Sequence, residues 1–313
     1  MKDKKDFRLI YMGTPAISAK TFEALINKGW NFIGLIAQED KLVGRKKKLE
    51  EVPTKVVAKK YNIPVYQPHK IRLDYEFVKE LKPDLILTFA YGQIIPLGLL
   101  DIPNKHCLNL HGSILPKYRG AAPIQRAIMN NEKETGISLM YMIDKMDAGN
   151  VLAIEKVFIN PEDNYTSLCD KMSDAAINVV EKHLLNYLNQ ENVIGEMQDE
   201  SKVSFANKIA PEEEHISLEK TCLEQVNHIR ALSYSPGAFY LLDNLKFKVY
   251  KAKIYSNEIK DKIGVILFLD NHLLLQAKDG LIELLEVQLQ GKNKMTARDF
   301  VNGHKDIINK QFK

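Results

Sequence analysis

The stretch Cys107-Leu108-Asn109-Leu110-His111-Gly112-Ser113-Ile114-Leu115-Pro116-Lys117-Tyr118-Arg119-Gly120-Ala121-Ala122-Pro123 decides how this chain is read. Its first five residues alternate in character and predict a strand. Glycines and prolines then break it into a loop, and a helix restarts after Pro123. Residues two apart on a strand share a face, so Asn109 and His111 point the same way, with backbones about 6–7 Å apart. Asn offers a neutral N–H donor, and His a donor whose charge changes near neutral pH. Such a pair suits an oxygen that becomes negative during a reaction. The plainer reading is a strand-end histidine that is capped at the surface or satisfied in a core.

The next segment of the chain favours the chemical reading. Gly136-Ile137-Ser138-Leu139-Met140-Tyr141-Met142-Ile143 predicts a second strand, which delivers the turn Asp144-Lys145-Met146-Asp147-Ala148-Gly149. A carboxylate beside an imidazole fixes its tautomer and raises its pKa. Asn, His and Asp on two neighbouring strand ends form a constellation that only the fold can assemble.

Upstream, Phe7–Met12 reads as a buried strand, Gly13-Thr14-Pro15 as a turn, and Phe22, Leu25 and Ile26 as one face of a helix. Phe32–Ala37 is the next strand. This order predicts a doubly wound, mostly parallel α/β sheet. No G-x-G-x-x-G follows the first strand, which argues against a nicotinamide cofactor. Asp84–Ala90 is strongly apolar, as expected of a strand covered on both faces. It ends in Tyr91-Gly92-Gln93-Ile94-Ile95-Pro96. The polar segment from Gln38 to Leu49 carries four consecutive cations, Arg45, Lys46, Lys47 and Lys48. Such a run is a solvated loop or a phosphate-gripping arm at the ligand-binding end of the sheet.

Downstream, Ser167–Asn189 has helical periodicity, with Leu168, Met172, Ala175, Val179, His183 and Leu184 near one stripe. His183 there reads as structural. Residues 190–207 are polar and read as a linker. A helix over Leu218–Leu232 precedes short alternating strands at Phe239–Leu242, Phe247–Ala252, Ile263–Leu267, Leu273–Ala277 and Ile282–Val287. These predict a small OB-like β-barrel. The expected division is a catalytic domain over 1–189, a linker over 190–207 and a barrel over 208–313.

The 313 residues, 45% hydrophobic and 27% charged, are those of a globular chain, and the net charge of +4 alone argues no nucleic-acid partner. Three scattered cysteines, Cys107, Cys169 and Cys222, suggest neither a disulfide framework nor a zinc knuckle. Cys107 lies about 13 Å along the strand from His111, beyond hydrogen-bond reach, and reads as a packing residue. The charged start Met1–Asp6 does not resemble a signal peptide, and no apolar run approaches the ~20 residues of a membrane helix. A cytoplasmic location and a monomer are expected. The histidines show no metal-ligand spacing, so no metal is expected.

Asn109-x-His111-Gly112-Ser113, Leu115-Pro116-x-Tyr118-Arg119-Gly120 and Asp144-x-x-Asp147-x-Gly149 resemble the folate-dependent formyltransferase family. The resemblance runs over nearly the whole chain, including the tail from Gln288 to Gly303. It implies a Rossmann-like core, 10-formyltetrahydrofolate as formyl donor, and Asn109, His111 and Asp147 as the catalytic triad. Folate contacts would fall to Phe89, Tyr91, Gly92, Ile94, Ser113, Ile114, Leu115 and Pro116. The basic segment and tail resemble the branch of the family that formylates initiator methionyl-tRNA. The resemblance then makes Arg45, Lys46, Lys47 and Lys48 contacts to tRNA. Glu39 and Leu42 stand where that branch usually has prolines, and Ser217-Leu218 where it usually has Asp-Trp. Formylation of another small amine, such as an amino sugar nucleotide, would use the same triad without the basic segment. A formate-releasing hydrolase and an inactive tRNA-binding protein are further alternatives.

Overall fold

The computed structural model describes residues 1–43 and 48–313. Their contacts cluster into two units, one of residues 1–123, 134–158 and 169–206, the other of 124–133, 159–168 and 207–313. Along the chain, β1 (Leu9–Gly13), α1 (Ala16–Asn27) and β2 (Phe32–Ile36) are followed by β3 (Lys41–Val43) and β4 (Lys48–Glu50). Next come α2 (Pro53–Lys60), β5 (Val65–Tyr66), α3 (Phe77–Leu81), β6 (Leu85–Phe89), α4 (Leu97–Leu100) and β7 (Cys107–His111). The chain continues with α5 (Pro123–Met129), β8 (Glu134–Tyr141), β9 (Val151–Phe158) and α6 (Tyr165–Asn189).

The first unit holds a seven-stranded sheet in the order β5-β2-β1-β6-β7-β8-β9. Pairing is parallel from β5 to β7 and antiparallel at β8 and β9. Every residue of β1 and β6 is buried, which is why both read as strongly apolar, with Thr88 the one polar side chain. The winding direction reverses between these two strands, and in such sheets ligands bind beyond the strand ends at that switch point. Gly13 ends β1 there. A Cβ on it would lie 1.9 Å from the Ser18 hydroxyl and 2.8 Å from the Phe89 carbonyl, so only glycine fits. Thr14 Oγ1 and Gln38 Nε2 both donate to the Tyr91 carbonyl, at 3.0 and 2.9 Å, tying the loops after β1, β2 and β6 together.

Three local expectations change. The polar segment after β2 contains two short strands, because Lys41-Leu42-Val43 and Lys48-Leu49-Glu50 pair in antiparallel register. The second strand of the key pair stops at Tyr141, where the chain turns back and Asn150 O accepts from Tyr141 N at 3.0 Å. His183 is exposed: the buried stripe of α6 runs through Val180, Leu184, Tyr187 and Leu188, which leaves position 183 on the outer side.

The second unit contains α7 (Cys222–Ala231), β10 (Ala238–Leu242), β11 (Leu245–Ser256), β12 (Ile266–Leu269), β13 (His272–Ala277), β14 (Gly280–Leu289), β15 (Met295–Thr296) and α8 (Ala297–Gly303). α7 starts later than its periodicity suggests. Thr221 and Glu224 form a capping box that fixes its first turn. The strands form an antiparallel sheet in the order β10-β11-β14-β13-β12, with β15 on β14. The C-terminal residues join its two edges. Leu241 and Lys313 exchange backbone hydrogen bonds of 3.0 and 2.9 Å, while Lys310 O accepts from Ile266 N and Gly264 O accepts from Phe312 N, both at 2.8 Å. Phe247, Phe300, Phe312 and Tyr240 pack at the centre.

Candidate active site

β7 and β8 set the geometry. Asn109 pairs with Met140 and His111 with Ser138, so both polar side chains leave the same face of β7. The Asn109 carboxamide is half-buried and makes no side-chain hydrogen bond among the described residues. Its N–H groups are uncommitted. His111 is 5% exposed. Its Nε2 lies 2.9 Å from the Tyr118 carbonyl, which can only accept, so Nε2 carries the proton. Its Nδ1 faces Asp147 Oδ2 at 3.5 Å.

Asp147 arrives on the turn after β8. It sits at φ 48°, a left-handed backbone that is unusual for a non-glycine residue. Gly120 N donates to its Oδ2 at 2.8 Å. Gly149 closes the turn: a Cβ there would come within 2.0 Å of the Tyr141 carbonyl. The fold thus brings His111 and Asp147 together, with Asn109 on the same strand face. Asp144 is exposed and forms no ion pair with His111.

A cavity of about 410 Å³ adjoins the turn. Leu97, Met142, Ile143, Asp144 and Gly149 contribute to its lining, with Asp101 and His106. Large apolar side chains stand open to solvent on the same loops: Ile94, Leu97, Ile143 and Met146. None of the eight residues expected to contact folate lines this cavity. Phe89, Tyr91, Ser113 and Leu115 are buried in the core, and burial pushes the Tyr91 hydroxyl up to about 12. Ser113 Oγ donates to the Lys117 carbonyl at 2.6 Å. Gly92 and Ile94 are exposed, and Ile114 and Pro116 are half-buried. Burial also pushes the Cys107 thiol up, in keeping with a packing role. Arg45, Lys46 and Lys47 lie outside the described residues, and Lys48 is exposed on β4.

Sequence reasoning missed three residues around Asp147. Gln198 Nε2 donates to the carbonyls of Asp147 and Gly149, at 2.8 Å each. Arg119, 1% exposed, donates to Gln198 Oε1 through Nε and a terminal nitrogen, at 3.0 and 2.8 Å. Glu200 accepts from Arg119 at 2.7 Å and from Lys145 at 2.9 Å. Together these cations hold the Glu200 carboxyl at about 2, Arg119 more strongly than Lys145. A buried arginine beside a Gly/Pro loop was the one available signal, since buried guanidinium groups need partners. Among the described residues, no group of His, Cys, Asp and Glu could hold a metal ion, and no helix is long and apolar enough to cross a membrane.

Residues 7–184 match the formyl transferase family model, and residues 208–305 match the model of the formyl transferase C-terminal domain. The methionyl-tRNA formyltransferase of Malacoplasma penetrans is 39% identical over 304 residues, covering 97% of this chain and 95% of that protein. Its counterpart in Lactobacillus acidophilus is 39% identical over 298 residues, covering 94% and 95%. In fold, the chain is similar to HypX from Aquifex aeolicus in complex with tetrahydrofolic acid. The TM-score is 0.69 at 17% identity, over 97% of this chain and 48% of that longer one.

Proposed function

The chain belongs to the formyl transferase family, and we propose how its residues carry out the family's chemistry. It transfers a formyl group from 10-formyltetrahydrofolate to the α-amino group of initiator methionyl-tRNA. Bound 10-formyltetrahydrofolate supplies the formyl carbon: the amine's C–N bond forms, the bond to N10 breaks, and N10 takes up a proton. The folate ring would lie against the loops after β6 and β7, where Gly92 and Ile94 are exposed and Ile114 and Pro116 half-buried.

Asn109 donates its uncommitted N–H to the formyl oxygen as charge develops there. His111 acts through Nδ1, because Nε2–H is held by the Tyr118 carbonyl. A proton on Nδ1 is shared between Asp147 Oδ2 and the developing oxyanion. Asp147 accepts the proton that the amine loses, directly or through one water. The observation that carries this reading is the buried His111, with one nitrogen anchored and the other facing Asp147 at 3.5 Å.

Arg45, Lys46, Lys47 and Lys48 grip tRNA phosphates; the support is the run of four cations in sequence. With roughly four phosphate contacts, log K for tRNA falls on log salt with a slope of about −3 to −4. Serine at all four positions should flatten the slope by that amount. An unchanged slope would refute the role. The reaction runs in the cytoplasm, in a monomer.

The test of the whole reading is formyl transfer to methionyl initiator tRNA, with uncharged tRNA and free methionine as controls. Transfer to the charged tRNA alone supports it. Consumption of the donor in every tube would indicate a hydrolase, and no consumption with tRNA still bound would indicate a binding protein.

A further inference from the structure

Residues 196–206, polar in sequence, bind along the catalytic turns of the first unit. Glu196 exchanges backbone hydrogen bonds with Val151, at 2.8 and 2.7 Å. Ser204 O accepts from Arg119 N at 2.9 Å, and Ser204 Oγ accepts from Tyr118 N at 3.0 Å. Ala206 N donates to the Arg119 carbonyl at 2.7 Å. Gly120 is pressed so closely against this segment that a Cβ would lie 2.8 Å from the Ala206 carbonyl.

These contacts reach both partners of the His111–Asp147 pair. On one side, Ser204 holds Tyr118, whose carbonyl anchors His111 Nε2. On the other, Gln198 donates to the carbonyls flanking Ala148, which sets the left-handed turn at Asp147. The orientation of the Gln198 amide is unambiguous. Its oxygen faces two guanidinium N–H groups, so its NH2 must face the two carbonyls. A carboxamide is the neutral group that can donate twice on one side and accept on the other.

Building on the catalytic reading of Asp147 above, we infer that segment 196–206 is a strap that positions the His111–Asp147 pair. Gln198 is its positioning residue, and Arg119 is the buried support that fixes Gln198. Neither touches substrate. The strap acts by holding Asp147 Oδ2 against His111 Nδ1, where a displacement on the order of 1 Å costs about 10²-fold in rate.

The decisive change is Gln198→Glu. The carboxylate keeps its acceptor face toward Arg119 but presents lone pairs to the Asp147 and Gly149 carbonyls, which pushes the turn away. If that protein does not fold, Gln198→Asn, one methylene short, replaces it under the same expectations. Formyl transfer to methionyl-tRNA is measured in the otherwise unchanged chain and in an Asp147→Asn background. Positioning predicts that kcat falls about 10- to 10²-fold in the first and less than about threefold in the second, with KM for 10-formyltetrahydrofolate nearly unchanged. An equal fall in both backgrounds, or no fall in either, would overturn the inference. If Asp147→Asn is itself fully active, the catalytic reading fails, and the strap's role with it.

Discussion

Two histidines, one in each unit, are each 5% exposed and anchored in the same way. His111 Nε2 faces the Tyr118 carbonyl at 2.9 Å, and His228 Nε2 faces the Glu213 carbonyl at 2.6 Å. They differ at the other nitrogen. His111 Nδ1 looks at a carboxylate, Asp147, at 3.5 Å. His228 Nδ1 is 3.1 Å from an ammonium, Lys220. An ammonium can only donate, so His228 Nδ1 must keep its lone pair and the ring must stay neutral. A carboxylate can only accept, so Asp147 has a use for a proton on His111. The same buried imidazole thus faces a proton acceptor in one unit and a proton donor in the other.

The comparison breaks most visibly on the His111 side. Asp147→Asn keeps the shape and removes the acceptor. It should lower kcat by about 10²–10³-fold, the range typical for losing a preorganised electrostatic group. Asn109→Ala should cost a similar factor by removing the uncommitted donor. Steady-state kinetics with methionyl-tRNA check both, with thermal melting to show that the fold is kept. An Asn109→Ala enzyme that melts normally and retains full activity would remove Asn109 from the mechanism.

On the His228 side, the expected effect is on stability. Burial foremost, then Lys220, holds His228 at about 4, below its ordinary 6.5. Arg126 opposes its protonation as well, while Glu213 favours it. The unfolded chain takes up this proton as pH falls through 6.5, and the folded chain only near 4. The contribution is therefore fully present above pH 6.5, is lost as pH falls toward 4, and levels off below. That gap corresponds to about 3 kcal/mol at most. Urea unfolding at pH 7, 5.5 and 4.5 should show the loss, and His228→Gln, which can still donate to the Glu213 carbonyl, should lack it. Equal pH dependence in both proteins would show that other groups carry it.

The contrast between the two histidines also shows what can be read from sequence. His111 was legible because strand period, a Gly/Pro loop and an Asp-bearing turn lie within 40 or so residues, and each constrains the next. The order of strands and helices in the first unit followed from the same local signals. Gln198 was not legible. It meets Arg119 across 79 positions, in a stretch whose polarity reads as solvent exposure. A buried polar side chain looks like an exposed one until its partners are known. His228 was silent for the same reason, since its neutral state depends on Lys220 and on Glu213's backbone. The closure of the second sheet by Lys310, Phe312 and Lys313 depends on long-range register, which alternation alone does not determine. The cavity gathers residues from α4, the end of β8 and the Asp147 turn, so aliphatic side chains at Leu97 and Ile143 carried no sign of a shared wall.

The smallest predicted effect tests the comparison most finely. If the partner at Nδ1 alone decided the fate of His228, Lys220→Met would free the ring to take a proton near its ordinary value. The causes rank differently: burial comes first and the Lys220 charge second. Burial persists in Lys220→Met, which removes the charge with little change in side-chain length. The pH-dependent loss of stability between 6.5 and 4 should therefore shrink only by a minor part, on the order of 1 kcal/mol or less, as expected for one partly solvated charge. At pH 7 the variant should be less stable by about 1 kcal/mol, because the buried Nδ1 of the neutral imidazole loses its donor. Urea midpoints across the same pH series read both numbers. Complete loss of the pH dependence would make the ammonium the dominant cause, and His111 and His228 would then differ by that one contact alone.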